Sequence, residues 1–359
     1  MKRIVPSEYT SRIARCKDAM QRSNLDCVVL FPGPNFTYFT GLRLPRERYR
    51  ITVALLGSEG SLALMGPSFE EVRLADSPVD AEVHLWTDED DQHELIARWI
   101  RARYGARPRV GLELTTDYYH YLGLKEVIPG AAFIDPTAAT DELRAIKSSA
   151  EIACLRAAAL RTRVRMERVL SLLVQGMTER ELTRLYGPGA MVQFGPTASL
   201  PYAVAADRTL RDRDVVVIDA GDWVEGYRSD LARTFFFGEP FEKMREVYRV
   251  VNDAELAAID AARPGEPAGV IDRAARKVIE KAGLIEYYLH RAGHGIGLAF
   301  HEIPICAVSS DDVLKPGMVL AVEPGIYIPN EFGVRIEDDI LITDKGCELL
   351  ADRGPLYLD

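Results

Sequence analysis

Val215-Val216-Val217-Ile218-Asp219 ends an apolar run on a carboxylate, and the turn-forming Glu225-Gly226-Tyr227 and the apolar run Leu231 to Phe237 follow it. This reads as a strand, a turn and a returning strand, with Asp230 brought back toward Asp219 across the hairpin. A carboxylate in an apolar strand is costly to bury unless it is paired or bound to a cation. The same pattern recurs downstream. Glu323 interrupts the run that starts Val319-Leu320-Ala321-Val322, and Glu337 lies in the next strand, two residues after Arg335 and so on the same face. Inward carboxylates repel one another strongly. Divalent cations that prefer oxygen ligands are one explanation, and a salt-bridge network through Arg335 is the other.

His294 adds a nitrogen donor. It sits in Gly293-His294-Gly295-Ile296-Gly297, with His301-Glu302 shortly after, and the flanking glycines let the backbone approach other elements closely. An imidazole beside carboxylates suits Mn, Co, Fe or Zn better than Ca or a lone Mg. The glycines do not meet the G-x-G-x-x-G spacing of a dinucleotide loop.

The rest of the chain frames these residues. Its 359 residues suggest two domains, and 47% hydrophobic with 27% charged residues excludes a disordered or fibrous chain. With 44 basic against 54 acidic residues the net charge is -10, which argues against a nucleic-acid partner. The longest apolar runs, such as Cys27 to Phe31, fall far short of the ~20 residues that span a bilayer. Met1-Lys2-Arg3 is followed at once by Pro6-Ser7-Glu8, without the apolar core of a signal peptide, so a cytoplasmic location is expected. Five scattered cysteines without a C-x-x-C pair read as reduced, mostly buried thiols.

Helix and strand patterns alternate up to about residue 140, from a helix at Glu8 to Arg22 to a strand at Val110 to Leu114, predicting an α/β domain over residues 1–141. Ser148 to Glu151 and Thr178 to Glu181 are capping boxes that open helices of a second domain, residues 142–359. Strands are expected near Met191 to Phe194, Val215 to Trp223 and Leu231 to Phe237. Helices from Pro240 to about Ala262 and Gly269 to Ala282 follow, and then strands Met318 to Ile328 and Val334 to Thr343 around a turn at Asn330.

Assembled, the motifs Ile218-Asp219-Ala220-Gly221, Ser229-Asp230-Leu231-Ala232-Arg233-Thr234, His290 to Glu302, Glu323-Pro324-Gly325-Ile326-Tyr327 and Val334-Arg335-Ile336-Glu337-Asp338-Asp339 resemble the pita-bread metallopeptidase family. Asn35 to Gly41 looks like part of the extra N-terminal domain of its proline-specific branch, which includes prolidase and Xaa-Pro aminopeptidase. The resemblance implies an α/β N-terminal domain with a dimerisation and substrate-access role. It also implies an α+β catalytic domain whose antiparallel sheet is flanked by helices. Asp219 would hold one divalent metal, His294 and Glu323 the other, and Asp230 with Glu337 would bridge both; manganese is favoured, with Co, Zn or Fe as alternatives. A water between the two metals would be the nucleophile. Glu323 would shuttle the proton, His301 would hydrogen-bond substrate, and Tyr327 and Arg335 would orient Glu323 and Glu337, with Arg335 also near substrate.

The implied activity is hydrolysis of the Xaa-Pro bond of dipeptides by a cytoplasmic homodimer without nucleic-acid or membrane partners. Alternatives are an Xaa-Pro aminopeptidase on longer peptides, a metal-free creatinase-like amidinohydrolase and a non-catalytic peptide-binding module. Two features are particular to this chain. Tyr202, in Ser199-Leu200-Pro201-Tyr202, stands where proline-specific relatives usually carry a histidine, and the segment Tyr186 to Gly195 looks short. Tyr202 can donate a hydrogen bond to substrate but is a poor proton shuttle at neutral pH. The loop Leu42 to Arg50 is rich in arginine, whose planar fork suits a substrate carboxylate; Arg46 is the one expected to reach an active site, with a dimer interface as one route.

Overall fold

In the computed structural model, which describes residues 4–353, the apolar runs of the N-terminal part pair as one six-stranded mixed sheet. Its order is Glu82–Trp86, Leu62–Pro67, Val53–Gly57, Cys27–Leu30, Arg109–Leu112 and Ala132–Ile134. The central strand Cys27–Leu30 is buried along its whole length, which is why it reads as a continuous apolar run rather than an alternating one. Helices Pro6–Arg22, Gln92–Tyr104 and Tyr118–Val127 belong to the same unit. Asp91 caps the second of these by accepting the N–H groups of His93 and Glu94 at 3.0 Å each.

The chain divides into two compact units, Met1–Arg144 and Ala145–Asp359. Met1-Lys2-Arg3, which entered the reading of the N-terminus, lies outside the described residues. Among the described residues no helix is long and apolar enough to cross a membrane. Cys16, Cys27, Cys154 and Cys306 are buried free thiols, and Cys347 is half-buried.

The second unit opens with helix Ser149–Leu170, whose capping box joins Ser148 and Glu151; helix Glu179–Tyr186 has its own box of Thr178 and Glu181. Two antiparallel sheets follow. One has the order Leu231–Phe237, Asp214–Ala220, Ala190–Phe194, and the other Glu302–Ile305, Gly293–Gly295, Val319–Val322, Asp338–Ile342, Cys347–Leu349. A two-stranded ribbon, Gly325–Ile328 with Phe332–Arg335, stands beside them. Helices Glu242–Ala261 and Gly269–Lys281 bury Val247, Val251, Ala254, Ile271, Ala275 and Ile279 in one core with Leu320, Val322, Ile340 and Ile342. Each such buried valine, leucine or isoleucine side chain stabilises the fold by about 1.5–3 kcal/mol, and the alanines by less. The architecture is thus an α/β unit followed by an α+β unit of antiparallel sheets and flanking helices.

Two expected strands are each two. Met318 to Ile328 breaks at Glu323-Pro324, and Val334 to Thr343 breaks at Ile336-Glu337, so the chain passes from one sheet to another at both carboxylates. Proline lacks an N–H and restricts the residue before it, which accounts for the first break. At the second, Glu337 N–H donates to the Ala232 carbonyl at 3.0 Å, and Ala232 N–H donates back at 3.3 Å. This isolated bridge ties the three-stranded sheet to the segment carrying Glu337.

Candidate metal centre

The hairpin that carries the two aspartates has a two-residue turn, Glu225-Gly226, between Trp223–Val224 and Tyr227–Arg228. Both turn residues have positive φ, 51° and 88°, as a type I′ turn requires. In the ladder that follows, Asp219 is opposite Ala232, so Asp230 is its diagonal neighbour. Asp230 N–H is held by Asp339 Oδ2 at 3.0 Å. His294 lies in the middle of a three-residue strand paired with Ala321 and Ile305. The glycines beside it are there for space: a Cβ on Gly293 would collide with the Ala321 carbonyl, and one on Gly295 with that of Ile303.

These elements bring ligand atoms of Asp230, His294 and Glu337 within 4.8 Å of one another, all three residues being buried. Glu323 joins them, with Oε1 3.7 Å from His294 Nε2. His294 Nδ1 lies 2.9 Å from the Gly295 carbonyl; a carbonyl can only accept, so Nδ1 carries the proton and Nε2 presents a lone pair to the cluster. Burial holds this imidazole neutral, with a pKa lowered to about 3.

The carboxylates lack the partners that burial demands. Asp230 Oδ1, Glu337 Oε2 and Asp339 Oδ1 are buried without any hydrogen-bond partner among the described residues. Burial, then repulsion by neighbouring acids, pushes Asp230 and Glu337 well above the carboxylate range. Burial also lifts Glu323 to about 7, against the opposing pull of Arg335. Partnerless buried oxygens that resist ionisation beside a lone-pair nitrogen fit a divalent cation. The set of carboxylates and one imidazole matches ions that accept both oxygen and nitrogen.

Asp219 is engaged differently. Its Oδ2 is in direct contact with Arg335 Nη1. The buried guanidinium also donates from Nε to the Tyr327 hydroxyl at 2.8 Å and from Nη2 to the Pro201 carbonyl at 2.8 Å, and Nε lies 4.0 Å from Glu323 Oε2. The salt-bridge network through Arg335 and the cation cluster are therefore neighbours in one site. Tyr327 O–H donates in turn to His290 Nε2 at 2.7 Å, because His290 Nδ1 is committed to the Arg291 carbonyl at 2.8 Å. Burial, followed by the charge of Arg335, lowers the His290 pKa to about 4, so this imidazole accepts as a neutral base.

His301 stands edge-on to His294, with ring centroids 4.2 Å apart and planes at 88°. Its pKa is lowered, first by burial and then by Arg291 and Arg228. Tyr202 is 67% exposed, with its ring centroid 5.7 Å from Arg335 Cζ, and its backbone follows the Pro201 carbonyl that Arg335 holds. Burial of part of the phenol, and then Glu323, raise its pKa, so it is a hydrogen-bond donor here and not a base. Arg46 belongs to the first unit, where its Nε lies 3.9 Å from Asp117 Oδ2 and its Cζ 5.6 Å from the Phe31 ring centroid.

Sequence reasoning assigned no role to His290, Arg233 or Asp339. His290 carried a signal, since it precedes His294 by four residues in a glycine-containing run. Arg233 donates to the Glu337 carbonyl at 2.5 Å and pairs with Asp338 at 2.5 Å; nothing in Ala232-Arg233-Thr234 distinguishes it from a surface arginine.

Comparison with known proteins agrees with this geometry. The family model "Metallopeptidase family M24" matches residues 150–344, and "Creatinase/Prolidase N-terminal domain" matches residues 12–146. A curated relative from Staphylococcus aureus (strain MW2), named as an uncharacterized peptidase, is 34% identical over 357 residues, 95% of this chain and 99% of its own. Among solved structures, dipeptidase PepE from Mycobacterium ulcerans is 32% identical with a TM-score of 0.91, covering 99% of both chains. A recombinant prolidase from Thermococcus sibiricus is also 32% identical, with a TM-score of 0.92 over 98% of this chain and 99% of its own. With the pita-bread fold, a cluster suited to divalent cations and matches along nearly its whole length, the chain belongs to metallopeptidase family M24, in the branch that carries the creatinase/prolidase N-terminal domain.

Proposed function

We propose that this protein is a dinuclear metal-dependent dipeptidase that hydrolyses Xaa-Pro dipeptides. The observation that carries the reading is the buried cluster of Asp230, His294, Glu323 and Glu337, with partnerless oxygens on Asp230 and Glu337. Asp219, Asp230, His294, Glu323 and Glu337 would hold two divalent ions, with manganese the expected pair. Such ions polarise a carbonyl and lower the pKa of water into the neutral range.

The chain's own residues then have distinct tasks. Glu323, beside His294 in the cluster, is the residue that takes a proton and returns it to the leaving imino nitrogen. His301 donates a hydrogen bond to the substrate carbonyl or to the tetrahedral intermediate. Tyr202, exposed beside Arg335, donates a hydrogen bond to the substrate carbonyl. Arg335 holds the Asp219 carboxylate in place by direct contact and fixes the Tyr327 hydroxyl near Glu323. We assign the substrate's free carboxylate to Arg46 of a second copy in a cytoplasmic homodimer, an arrangement that favours dipeptides over longer peptides.

The test is hydrolysis of Ala-Pro, Ala-Pro-Ala and Ala-Ala by chelated enzyme, with and without manganese. Restored cleavage of Ala-Pro alone is expected. Preference for the tripeptide would make the protein an aminopeptidase, and no cleavage with any divalent metal would overturn the peptidase assignment. Arg46→Ala should raise KM for Ala-Pro at least tenfold, and unchanged dipeptide kinetics would remove Arg46 from the site.

A further inference from the structure

Glu302 stands outside the cation cluster, next to His301, and is buried with Lys147; their side chains are 2% and 1% exposed. Its two oxygens are used separately. Oε1 accepts the Ala299 backbone N–H at 3.0 Å, which closes the loop carrying Phe300 and His301 onto its own base. Oε2 receives Lys147 Nζ at 3.1 Å, and the same ammonium reaches the Ala145 carbonyl at 3.3 Å. The loop backbone lies directly on this carboxylate: a Cβ on Gly297 would come within 2.7 Å of Oε2.

The loop also packs against an aromatic and cationic neighbourhood. The Phe300 ring lies tilted against His301 and His294 at 4.4 and 5.6 Å between centroids, Arg228 Cζ covers the Phe300 ring at 4.2 Å, and Arg228 N–H donates to the Gly297 carbonyl at 2.9 Å. A buried ion pair is a poor stability device, since an apolar pair of similar volume often serves as well. A carboxylate that binds a loop N–H with one oxygen and an anchored ammonium with the other does something an apolar pair does not, because it fixes the loop's position.

We infer that the buried Lys147–Glu302 pair is a positioning device that fixes the Gly297 to His301 loop and so holds the His301 imidazole against His294. The kinetic side of this inference rests on the proposed substrate-contacting role of His301. Glu302→Gln keeps size and an acceptor oxygen for Ala299 but strips Lys147 of its counter-charge. A misplacement of about 1 Å at a reacting group costs up to about a hundredfold in rate, so kcat/KM for Ala-Pro should fall between about ten- and a hundredfold.

The decisive comparison is made in the His301→Ala background, where Glu302→Gln should cause no further fall, because its effect runs through His301. Independent of turnover, the His301 ring resonance, assigned by its loss in His301→Ala, should move in Glu302→Gln while that of exposed His84 stays fixed. Multiplicative losses in the double variant, wild-type kinetics for Glu302→Gln beside an impaired His301→Ala, or an unmoved His301 resonance would each overturn the inference and leave the peptidase reading intact. Wild-type kinetics for His301→Ala would sink the role of His301 and the inference with it. Protein that cleaves no peptide yet shows the resonance shift would lose the peptidase reading and keep the positioning role. If the single variant does not fold, Lys147→Met/Glu302→Gln, which leaves no unpaired charge, replaces it in each measurement.

Discussion

The Tyr327 hydroxyl lies 2.7 Å from His290 Nε2 and takes the Arg335 Nε–H at 2.8 Å, so one phenol links a neutral imidazole to a guanidinium. Tyr327→Phe removes both bonds and takes this partner from the buried Arg335 Nε–H and from Nε2 of the half-buried His290. It should cost roughly 1–3 kcal/mol of stability for each orphaned group that water cannot reach. Because Arg335 also contacts Asp219 and lies near Glu323, kcat should fall at least tenfold, with a smaller change in KM. Thermal unfolding and steady-state kinetics on Ala-Pro check both parts.

Arg335 is the hub of that arrangement, with three hydrogen-bond partners and near-complete burial. Arg335→Ala leaves the half-buried Asp219 beside other acids without its Arg335 partner; truncating one partner of a fully buried pair costs about 3–5 kcal/mol, and solvent at Asp219 places this loss at or below the lower end of that range. Arg335→Lys should recover part of the stability but little of the activity, since an ammonium cannot serve Tyr327, Asp219 and Pro201 in one plane. Denaturant unfolding of the two variants, read beside their turnover, tests this ordering.

Metal removal should change the pH dependence of stability. In the metal-free protein Glu323 has a folded pKa of about 7 against an ordinary 4.5. An acid whose folded pKa is raised binds more protons folded than unfolded in that interval, so stability falls as pH rises from about 4.5 to 7. The loss from Glu323 alone is on the order of 3 kcal/mol, and Asp230 and Glu337 shift in the same direction. Chelated protein should therefore melt at a lower temperature at pH 7.5 than at pH 5, and manganese should raise the pH 7.5 value most. A melting temperature independent of chelator would contradict the cation cluster.

Tyr202 is exposed enough to change without disturbing the core. Tyr202→Phe should raise KM for Ala-Pro several-fold, as loss of one hydrogen bond worth about 0.5–1.5 kcal/mol requires, and leave the melting temperature within about a degree. Identical kinetics would place substrate away from the hydroxyl.

What was legible in the sequence follows from what leaves a one-dimensional trace. The capping boxes at Ser148 and Thr178 and the run ending in Asp219 are local, and the structure has each of them as a helix start or a strand. Glu323 and Glu337 were visible as acids in apolar runs, but their places at strand breaks were not, because an apolar run continues through Pro324 and Ile336 regardless of which sheet takes it up. Helix Tyr118–Val127 was missed, since its aromatic residues resemble a strand more than a helix and Asp117 makes no side-chain cap. Lys147 and Glu302 are 155 positions apart, and no local pattern announces a pair at that distance.

The bridge between Ala232 and Glu337 joins two regions of the chain more than a hundred positions apart, with Asp219 and Asp230 on one side and His294, Glu323 and Glu337 on the other. Helices Glu242–Ala261 and Gly269–Lys281 fill the interval between the two groups. A chain clipped anywhere in that interval yields two fragments, neither with the full donor set, and a chain still being synthesised lacks it until the last sheet is laid down. The donor set is therefore complete only when both regions are present and packed together, so it reports closure of the second unit as a whole.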